Sequence, residues 1–522
     1  MFWRVARAIA QAEAPAKRRA WASKFYEAMA SLRFLPNSPT LMNAGRREAQ
    51  LSACFVLPVG DSLDEIFTTL KHAAKIHQSG GGTGFSFSRL RPAGSAVKTT
   101  SGIASGPVSF IKIFDVATET IKQGGARRGA NMAVLRVDHP DIVQFIDSKR
   151  DMKSIVNFNI SVGITSKFME AVQKDARFCL LDPQTGRSVS QVNARELLDR
   201  ISLSAWECGD PGLVFLDRIN QFNPTPSEGD MESTNPCGEQ PLLAYESCNL
   251  GSLNLGRYCQ KGGLDWDLFQ RDIHLATRFL DNVITVNQYP IPECAEITLK
   301  NRKIGLGVMG FADLLLELGL SYDSAQARTL GEEIMSFLDH EAKQCSMDLA
   351  KEKGAFPNYP KSRWKKLGYP KLRNATVSTV APTGTISIIA GASSGIEPIF
   401  AGVFYRNVLS GARLPEVHPA VEKVLREKRI EIGRVTEKDL ARLLGPAWSP
   451  ARAVSIEGHV LMQAVFQHFS DSAVSKTINL PESSTVEDVK KAYRLAYEKG
   501  CKGITVYRDK SKPAQVLDCP TC

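Results

Sequence analysis

The chain has 522 residues, 65 Lys and Arg against 55 Asp and Glu for a formal charge of +10, and an apolar fraction of 43% with 23% charged residues. This is the balance of a globular protein with a large core, and no window approaches the roughly 18 apolar residues of a membrane-crossing helix. Met1-Phe2-Trp3-Arg4-Val5-Ala6 lacks the basic, apolar and cleavage regions of a secretory leader, so a cytoplasmic, non-membrane protein is expected. The cations are spread along the chain rather than gathered into a stripe with aromatics, which argues against a nucleic-acid partner and suits a small polyanion. Eleven cysteines, an odd number at uneven spacing, argue against a disulfide framework and leave buried thiols plus a few reactive ones.

In chain order, Val5, Ile9, Trp21, Phe25 and Met29 recur at helical spacing and predict two short helices over residues 1–35, ended by Pro36-Asn37-Ser38-Pro39. Leu63, Ile66, Phe67, Leu70 and Ala74 predict a helix that opens at Ser62, with Glu65 at capping-box distance, and closes in Gly80-Gly81-Gly82-Thr83-Gly84. Ala133–Val137 and Thr376–Val380 read as strands, and 312–320 and 486–499 as helices, so the class is mixed α and β. No internal repeat or low-complexity tract interrupts it. The expected organisation is a helical segment over 1–35, one compact catalytic unit over 36–510, and a loose tail over 511–522 ending Cys519-Pro520-Thr521-Cys522.

The densest chemistry is Asn235-Pro236-Cys237-Gly238-Glu239. Pro and Gly beside the Cys deny it a helix or regular strand, so it belongs on a loop tip. An amide, a thiol and a carboxylate then alternate, and an extended loop aims all three to one side. That is what a site needs when one group takes a hydrogen atom, another a proton, and a third orients hydroxyls. By itself, the stretch fits a buried structural cysteine equally well. Pro382-Thr383-Gly384-Thr385-Ile386-Ser387 follows a predicted strand with small residues and hydroxyls, where main-chain N–H groups can form an anion nest, although a plain turn has the same composition.

Read together, these segments resemble the ribonucleotide reductases, and the resemblance covers nearly the whole chain in order. Asn235-Pro236-Cys237-Gly238-Glu239 resembles the finger-loop motif that carries the family's radical cysteine. Ser38-Pro39-Thr40-Leu41-Met42-Asn43-Ala44-Gly45 is similar to the N-terminal substrate-phosphate segment, and Leu51-Ser52-Ala53-Cys54-Phe55 to the segment with one redox cysteine, whose partner falls at Cys248. Arg302–Phe311 and Ala381–Ser387 are family-like too. The resemblance implies a ten-stranded α/β barrel of two five-stranded halves with a central finger loop. It implies Cys237, Glu239, Asn235, Cys54 and Cys248 as the catalytic set, and Ser38, Ala53, Cys54, Gly82, Asn235, Pro236, Cys237, Gly238, Glu239, Pro382, Thr383, Gly384, Thr385 and Ile386 around the substrate. Glycine at 82 would let backbone approach the ligand closely.

The resemblance further matches Asp61, Ser62, Leu63 and Arg91 to effector-site positions, and the glycine- and arginine-rich 122–130, with Gln123, Gly124 and Arg127, to the specificity loop. A deoxynucleoside triphosphate or ATP as effector, a homodimer, a ribonucleoside diphosphate substrate and a thioredoxin-like or tail dithiol reductant are implied with it. Members with a separate radical-generating subunit carry two adjacent tyrosines near the C-terminus, whereas this chain reads Gly503-Ile504-Thr505-Val506-Tyr507-Arg508. That departure, with Ser393-Ser394-Gly395-Ile396-Glu397-Pro398 and Lys122–Met132, points to adenosylcobalamin; a two-subunit form is the alternative. The short N-terminus leaves no room for the family's ATP-cone domain, so inhibition by dATP through it is not expected.

Two patterns are rejected. Gly305-x-Gly307-x-x-Gly310 has dinucleotide-fingerprint spacing, but Asn301-Arg302-Lys303 is a poor preceding strand and no ribose-binding acid follows on a second one. Cys519-x-x-Cys522 has no second pair to complete a zinc shell, so no metal is assigned and the family's tail redox pair is the better reading. A non-catalytic nucleotide-binding regulator on the same fold would not need the Asn-Cys-Glu set together with Cys54 and Cys248. A thiol oxidoreductase built on the tail cysteines would leave the central motifs without a role.

Overall fold

A computed structural model describes residues 1–47, 49–97, 102–121, 129–260, 263–407, 413–431, 435–512 and 517–518; Gln123, Gly124, Arg127, Cys519 and Cys522 lie outside the described residues. Among the described residues no helix is long and apolar enough to cross a membrane. The two N-terminal helices span Phe2–Ile9 and Arg18–Ala30 and bury Val5, Ile9, Phe25 and Met29. Phe25 and Phe34 both meet Phe279 edge-on, at 5.1 and 5.3 Å between ring centres, which docks this segment on the helix Trp266–Val286. Pro39 does not break structure as expected. Asn37 caps a short helix, Ser38–Asn43, and Pro39 sits in its first turn, where its missing N–H costs nothing. Ser62 caps the helix Leu63–Gln78 through the amide of Glu65 at 3.2 Å, but the Glu65 carboxylate returns to the Ser62 hydroxyl at 2.7 Å, so the expected box is a hydroxyl–carboxylate clasp.

The main sheet contains β1 (Phe34–Pro36), β2 (Cys54–Pro58), β3 (Gly82–Ser86), β4 (Asn131–Arg136), β5 (Phe158–Ile164), β6 (Gly212–Phe215), β7 (Ser247–Asn254), β8 (Ile304–Met309), β9 (Thr477–Leu480) and β10 (Gly503–Arg508). β2 through β6 are mutually parallel. β7 and β8 pair in parallel, as do β9 and β10. The two sets meet antiparallel, at β2–β7 on one side and at β6–β10 on the other. The segment 376–380 fills the remaining gap through single bridges, Leu306 to Ser378 and Val380 to Val474. Leu306 N donates to Val377 O at 2.8 Å, and Ser475 N to Val380 O at 2.8 Å. The predicted strand 376–380 is therefore present as a stave sharing its few bonds between two neighbours. With it the sheet closes into an α/β barrel of two five-stranded parallel halves, and β1 lies outside on β7.

Alternation along the strands assigns each residue a side. Phe55, Leu57, Phe85, Ala133, Leu135, Leu213 and Phe215 turn outward into the helical layer of the first half. Ile304, Leu306 and Val308 do the same in the second half. The opposite positions include Cys54, Val56, Cys248 and Leu250, with Met132, Val134 and Val214 further round, and they line the bore. A ten-stranded barrel is wider than the eight-stranded kind that side chains alone can fill. Here a hairpin fills it, Ser233–Thr234 pairing antiparallel with Pro241–Leu242, and 235–240 form its tip.

Glycine makes the space. A Cβ on Gly84 of β3 would lie 1.7 Å from the Thr234 carbonyl oxygen, and one on Gly305 of β8 2.8 Å from the Gln240 amide nitrogen. The fingerprint-like glycines of 305–310 thus belong to a strand, Gly305 facing the hairpin and Gly307 lying against the Thr379 carbonyl, and the dinucleotide reading fails as expected. Gly84→Ala should lower unfolding stability by roughly 1–3 kcal/mol through overpacking. Gly384→Ala, where an added Cβ meets nothing within 4 Å, should change it by less than about 0.5 kcal/mol. Denaturant titration of both variants checks the contrast.

Candidate active site

The hairpin tip faces a cleft at the end of the barrel where β2, β3 and β4 begin. Asn37, Ser38 and Pro39 line it, with Ala53, Cys54, Gly82, Asn235, Pro236, Cys237, Glu239 and 382–386. Of the fourteen residues expected around a substrate, Gly238 alone is not part of this lining. It instead makes the turn, with a φ of 82° that a side chain would resist and an N–H donated to Asn235 O at 3.1 Å. Asn235 closes the tip by accepting from Gln240 N through Oδ1 at 2.9 Å, while its own N donates to Gln240 O at 3.1 Å. Asn235, Cys237 and Glu239 all reach the cleft, as their alternation predicts.

Both halves of the barrel grip the tip. From β5, Asn159 Nδ2 donates to Pro236 O at 2.8 Å. From the second half, Ala473 N and Thr379 Oγ1 donate to the same Glu239 carbonyl oxygen, at 2.9 and 3.0 Å. Cys237 is exposed at the apex, and Glu239 is 2% exposed at the base of the tip. These grips are invisible in the sequence, because they join residues far apart in the chain whose side chains are ordinary polar ones.

Cys54 and Cys248 are cross-strand neighbours, directly opposite in the β2–β7 pairing. Cys54 lines the cleft, and Asn235 Nδ2 donates to its Sγ at 3.2 Å. Cys248 sits behind the lining among Cys54, Val56, Leu242, Leu250 and Ala381, and donates its thiol proton to Asn249 O at 3.3 Å. Burial pushes the Cys248 thiol well above its ordinary pKa, helped by the Glu246 carboxylate, against a smaller opposite pull from Lys303. The two thiols are therefore unequal. One accepts an amide proton at the cleft wall, and the other keeps its own proton in the core.

Beneath them lies an ion pair that sequence reading missed, Glu246 with Lys303 at 2.6 Å, both side chains essentially inaccessible. Glu246 also accepts from Leu243 N at 2.9 Å and Asn301 Nδ2 at 2.8 Å, which satisfies the carboxylate in the core. The available signal was Arg302-Lys303 standing directly before an apolar strand, where charges must be buried with partners.

The loop after the stave 376–380 is braced from behind. Thr383 N donates to Ser394 Oγ at 3.1 Å, and Gly395 N to Thr383 Oγ1 at 2.9 Å, leaving Gly384, Thr385 and Ile386 to face the cleft at the start of the helix Gly384–Ala390. The first turns of this helix and of Ser38–Asn43 both border the cleft, so main-chain N–H groups without helical acceptors are presented to an anion from two sides. Asp61, Ser62, Leu63 and Arg91 cluster elsewhere, at the start of Leu63–Gln78. There Asp61 accepts from Arg91 N and Nε, each at 2.8 Å, and Leu63 is 64% exposed.

The cleft is thus equipped to hold an anionic group against main-chain donors and to place a hydroxyl-bearing centre beside a thiol, a carboxylate and an amide. One pair of thiols, Cys54 in the cleft wall and Cys248 behind it, stands beside them. Lys303→Met, which strands the Glu246 carboxylate, should cost about 3–5 kcal/mol in denaturant unfolding, and adding Glu246→Gln should restore part of it.

The comparisons with known proteins come from the same direction. The family model of the ribonucleotide reductase barrel domain matches residues 52–507, and that of the ribonucleotide reductase all-alpha domain matches residues 1–49. A vitamin B12-dependent ribonucleoside-diphosphate reductase of Thermoplasma acidophilum is 53% identical over 511 residues, covering 96% of this chain and 66% of its own length. One from Mycobacterium tuberculosis is 47% identical over 529 residues, covering 98% of this chain and 76% of its own length. A vitamin B12-dependent ribonucleotide reductase of Streptomyces coelicolor is 32% identical, covering 93% of this chain and 59% of its own length. The chain therefore spans roughly two thirds of the length of such relatives.

Proposed function

This chain belongs to the ribonucleotide reductase family, and on that premise we propose that it reduces ribonucleoside diphosphates to 2′-deoxyribonucleotides with adenosylcobalamin as radical source. The observation that carries the reading is the convergence of Cys237, Glu239, Asn235 and Cys54 on one cleft, with Cys248 opposite Cys54. No protein group among them needs to be brought in from elsewhere.

The diphosphate is held by the N–H groups of 384–386 and of the turn at Ser38, Thr383 N being bonded to Ser394 Oγ, while the missing side chain at Gly82, beside the Pro236 ring, leaves room for the sugar. Adenosylcobalamin, when bound, supplies the hydrogen-atom acceptor for Cys237. Its fit rests on the exposure of Cys237 in the cleft lining, whereas Cys54 and Cys248 are buried. The Cys237 thiyl takes the 3′ hydrogen of the ribose, and Glu239 accepts the 3′-hydroxyl proton. Asn235 orients the hydroxyls. Cys54 and Cys248 give two electrons and two protons in all; the 2′-hydroxyl departs as water, a hydrogen replaces it, and the pair ends as a disulfide. Cys237 recovers its hydrogen at the close. An external or tail dithiol, Cys519 and Cys522 in the latter case, returns the pair to thiols by exchange, which suits the reducing cytoplasm.

Against a two-subunit radical relay stands the residue before Tyr507, the buried aliphatic Val506, where a second tyrosine would be needed. For specificity control, the same reading assigns a deoxynucleoside triphosphate or ATP to Asp61, Ser62, Leu63 and Arg91, with Gln123, Gly124 and Arg127 as its further contacts. Leu63 and Phe67 on Leu63–Gln78, with Ile113 and Val116 on the neighbouring helix Gly106–Thr120, are 40–65% exposed, and this apolar face supports a homodimer.

Incubation with CDP, a specificity effector, dithiothreitol and adenosylcobalamin should yield dCDP, and omission of the cofactor should abolish it. No product from CDP or CTP under any of these conditions would overturn the reading. Cys237→Ser should reduce turnover by more than about a thousandfold while leaving nucleotide binding by equilibrium dialysis nearly unchanged.

A further inference from the structure

Lys502, the residue before β10, takes no part in the chemistry above, yet its side chain is among the most enclosed charges in the molecule. The residue is 5% exposed, and its ammonium donates to three consecutive main-chain carbonyls, Ser470 O at 3.3 Å, Asp471 O at 2.7 Å and Ser472 O at 2.6 Å. An ammonium has three donors and no acceptor, so this arrangement uses it completely. The Phe222 ring covers it at 5.1 Å. Gln467 Nε2 shares the Ser472 carbonyl at 3.1 Å.

What these carbonyls hold is the barrel seam. Ser472 N donates to Ser378 O at 3.1 Å, and the next amide, Ala473 N, is the donor to Glu239 O. Thr379 Oγ1 bridges that oxygen and Ala473 O, at 3.0 and 2.9 Å. A fixed charge at one end thus connects, through three residues of main chain, to the hairpin residue at the other. We infer that Lys502 is a positioning residue that sets the placement of Glu239 through the 470–473 turn, and that protonated Lys502 is the form that does so. The catalytic consequence rests on the reading of Glu239 as proton acceptor; the structural link does not.

The charged groups facing Lys502 come from three elements. Asp339 and Lys343 project from the helix Ala325–Lys353, Asp471 from the turn itself, and Arg363 from Arg363–Lys366. Burial, reinforced by Lys343 and Arg363 and opposed by Asp471 and Asp339, brings the ammonium down to about 7. A neutral amine keeps two donors and turns a lone pair toward the third carbonyl, so the turn loosens as pH rises through that value. Stability runs the other way. Between about 7 and the ordinary lysine value near 10.4 the unfolded chain binds the extra proton, so this residue's contribution to stability rises with pH. A purely structural lysine would give no fall in rate accompanying that rise.

The test uses the full chain and reads amide exchange at Ala473 and steady-state kinetics from below to above neutrality. In the wild type, Ala473 protection, corrected for intrinsic exchange, should fall as pH rises through Lys502's titration. kcat should fall with it by roughly 10–100-fold while KM stays constant. Lys502→Arg, charged throughout, should hold both flat, and Thr379→Val should lower kcat at every pH while retaining the titration. Protection and kcat that ignore pH in this range, or a Lys502→Arg profile identical to wild type, would overturn the inference and leave the reductase reading intact. If no deoxynucleotide forms at all, the reductase reading fails, and Ala473 protection alone still decides the link to Lys502.

Discussion

A closed sheet can hold a reactive loop in its middle only if its wall gives up side chains where the loop passes, and that exchange governs this molecule. Gly84 and Gly305 stand on opposite halves of the barrel, and each would collide with the hairpin if it carried a Cβ. The volume they surrender is occupied by main chain, whose polar groups must then be satisfied inside the bore. Asn159, Thr379 and Ala473 supply that satisfaction. The same three contacts that make the hairpin tolerable in the core make it rigid, and rigidity places Cys237 and Glu239 with respect to the cleft walls.

The antiparallel meeting of two parallel halves adds a second consequence. Strands of the first half begin at the cleft, whereas β7 and the stave 376–380 run toward it, so residues early in one strand face residues late in another. Gly82, first in β3, comes to lie with the 382–386 loop around the cleft in this way, while Cys54 and Cys248, each near the start of its strand, pair where β2 and β7 overlap. Electrostatics follows the same division. The cleft wall offers N–H groups and one amide to a thiol, while Glu246 and Lys303 are kept behind it as a closed pair.

Much of the site was legible because its residues announce themselves locally. Pro236 and Gly238 force a tip, and the tip's alternation alone orients three functional groups; Thr383 to Ile386 carry the composition of a turn that binds anions. The closure of the barrel was legible only through family resemblance, since 376–380 makes single bridges rather than a ladder and nothing in its sequence names its partners. The Ser62 clasp and the helix at Ser38 departed from expectation for local reasons. In one a hydroxyl outcompeted an amide, and in the other a proline found a helical position that needs no donor. Lys303, Thr379 and Lys502 were silent for a different reason: their importance lies in what burial leaves them to bond with, which no spacing encodes.

Cys54 and Cys248 also occupy the line where one half of the barrel is joined to the other. In the proposed cycle a covalent bond forms across that line and is then cut, so the two halves are riveted together and released once for every deoxynucleotide made. Oxidation therefore ties two segments distant in sequence, and the spent enzyme is a more tightly bound object than the active one. Whatever reductant restores it works against a closed fastening, and the resting thiol form is the looser of the two mechanical states through which the barrel passes.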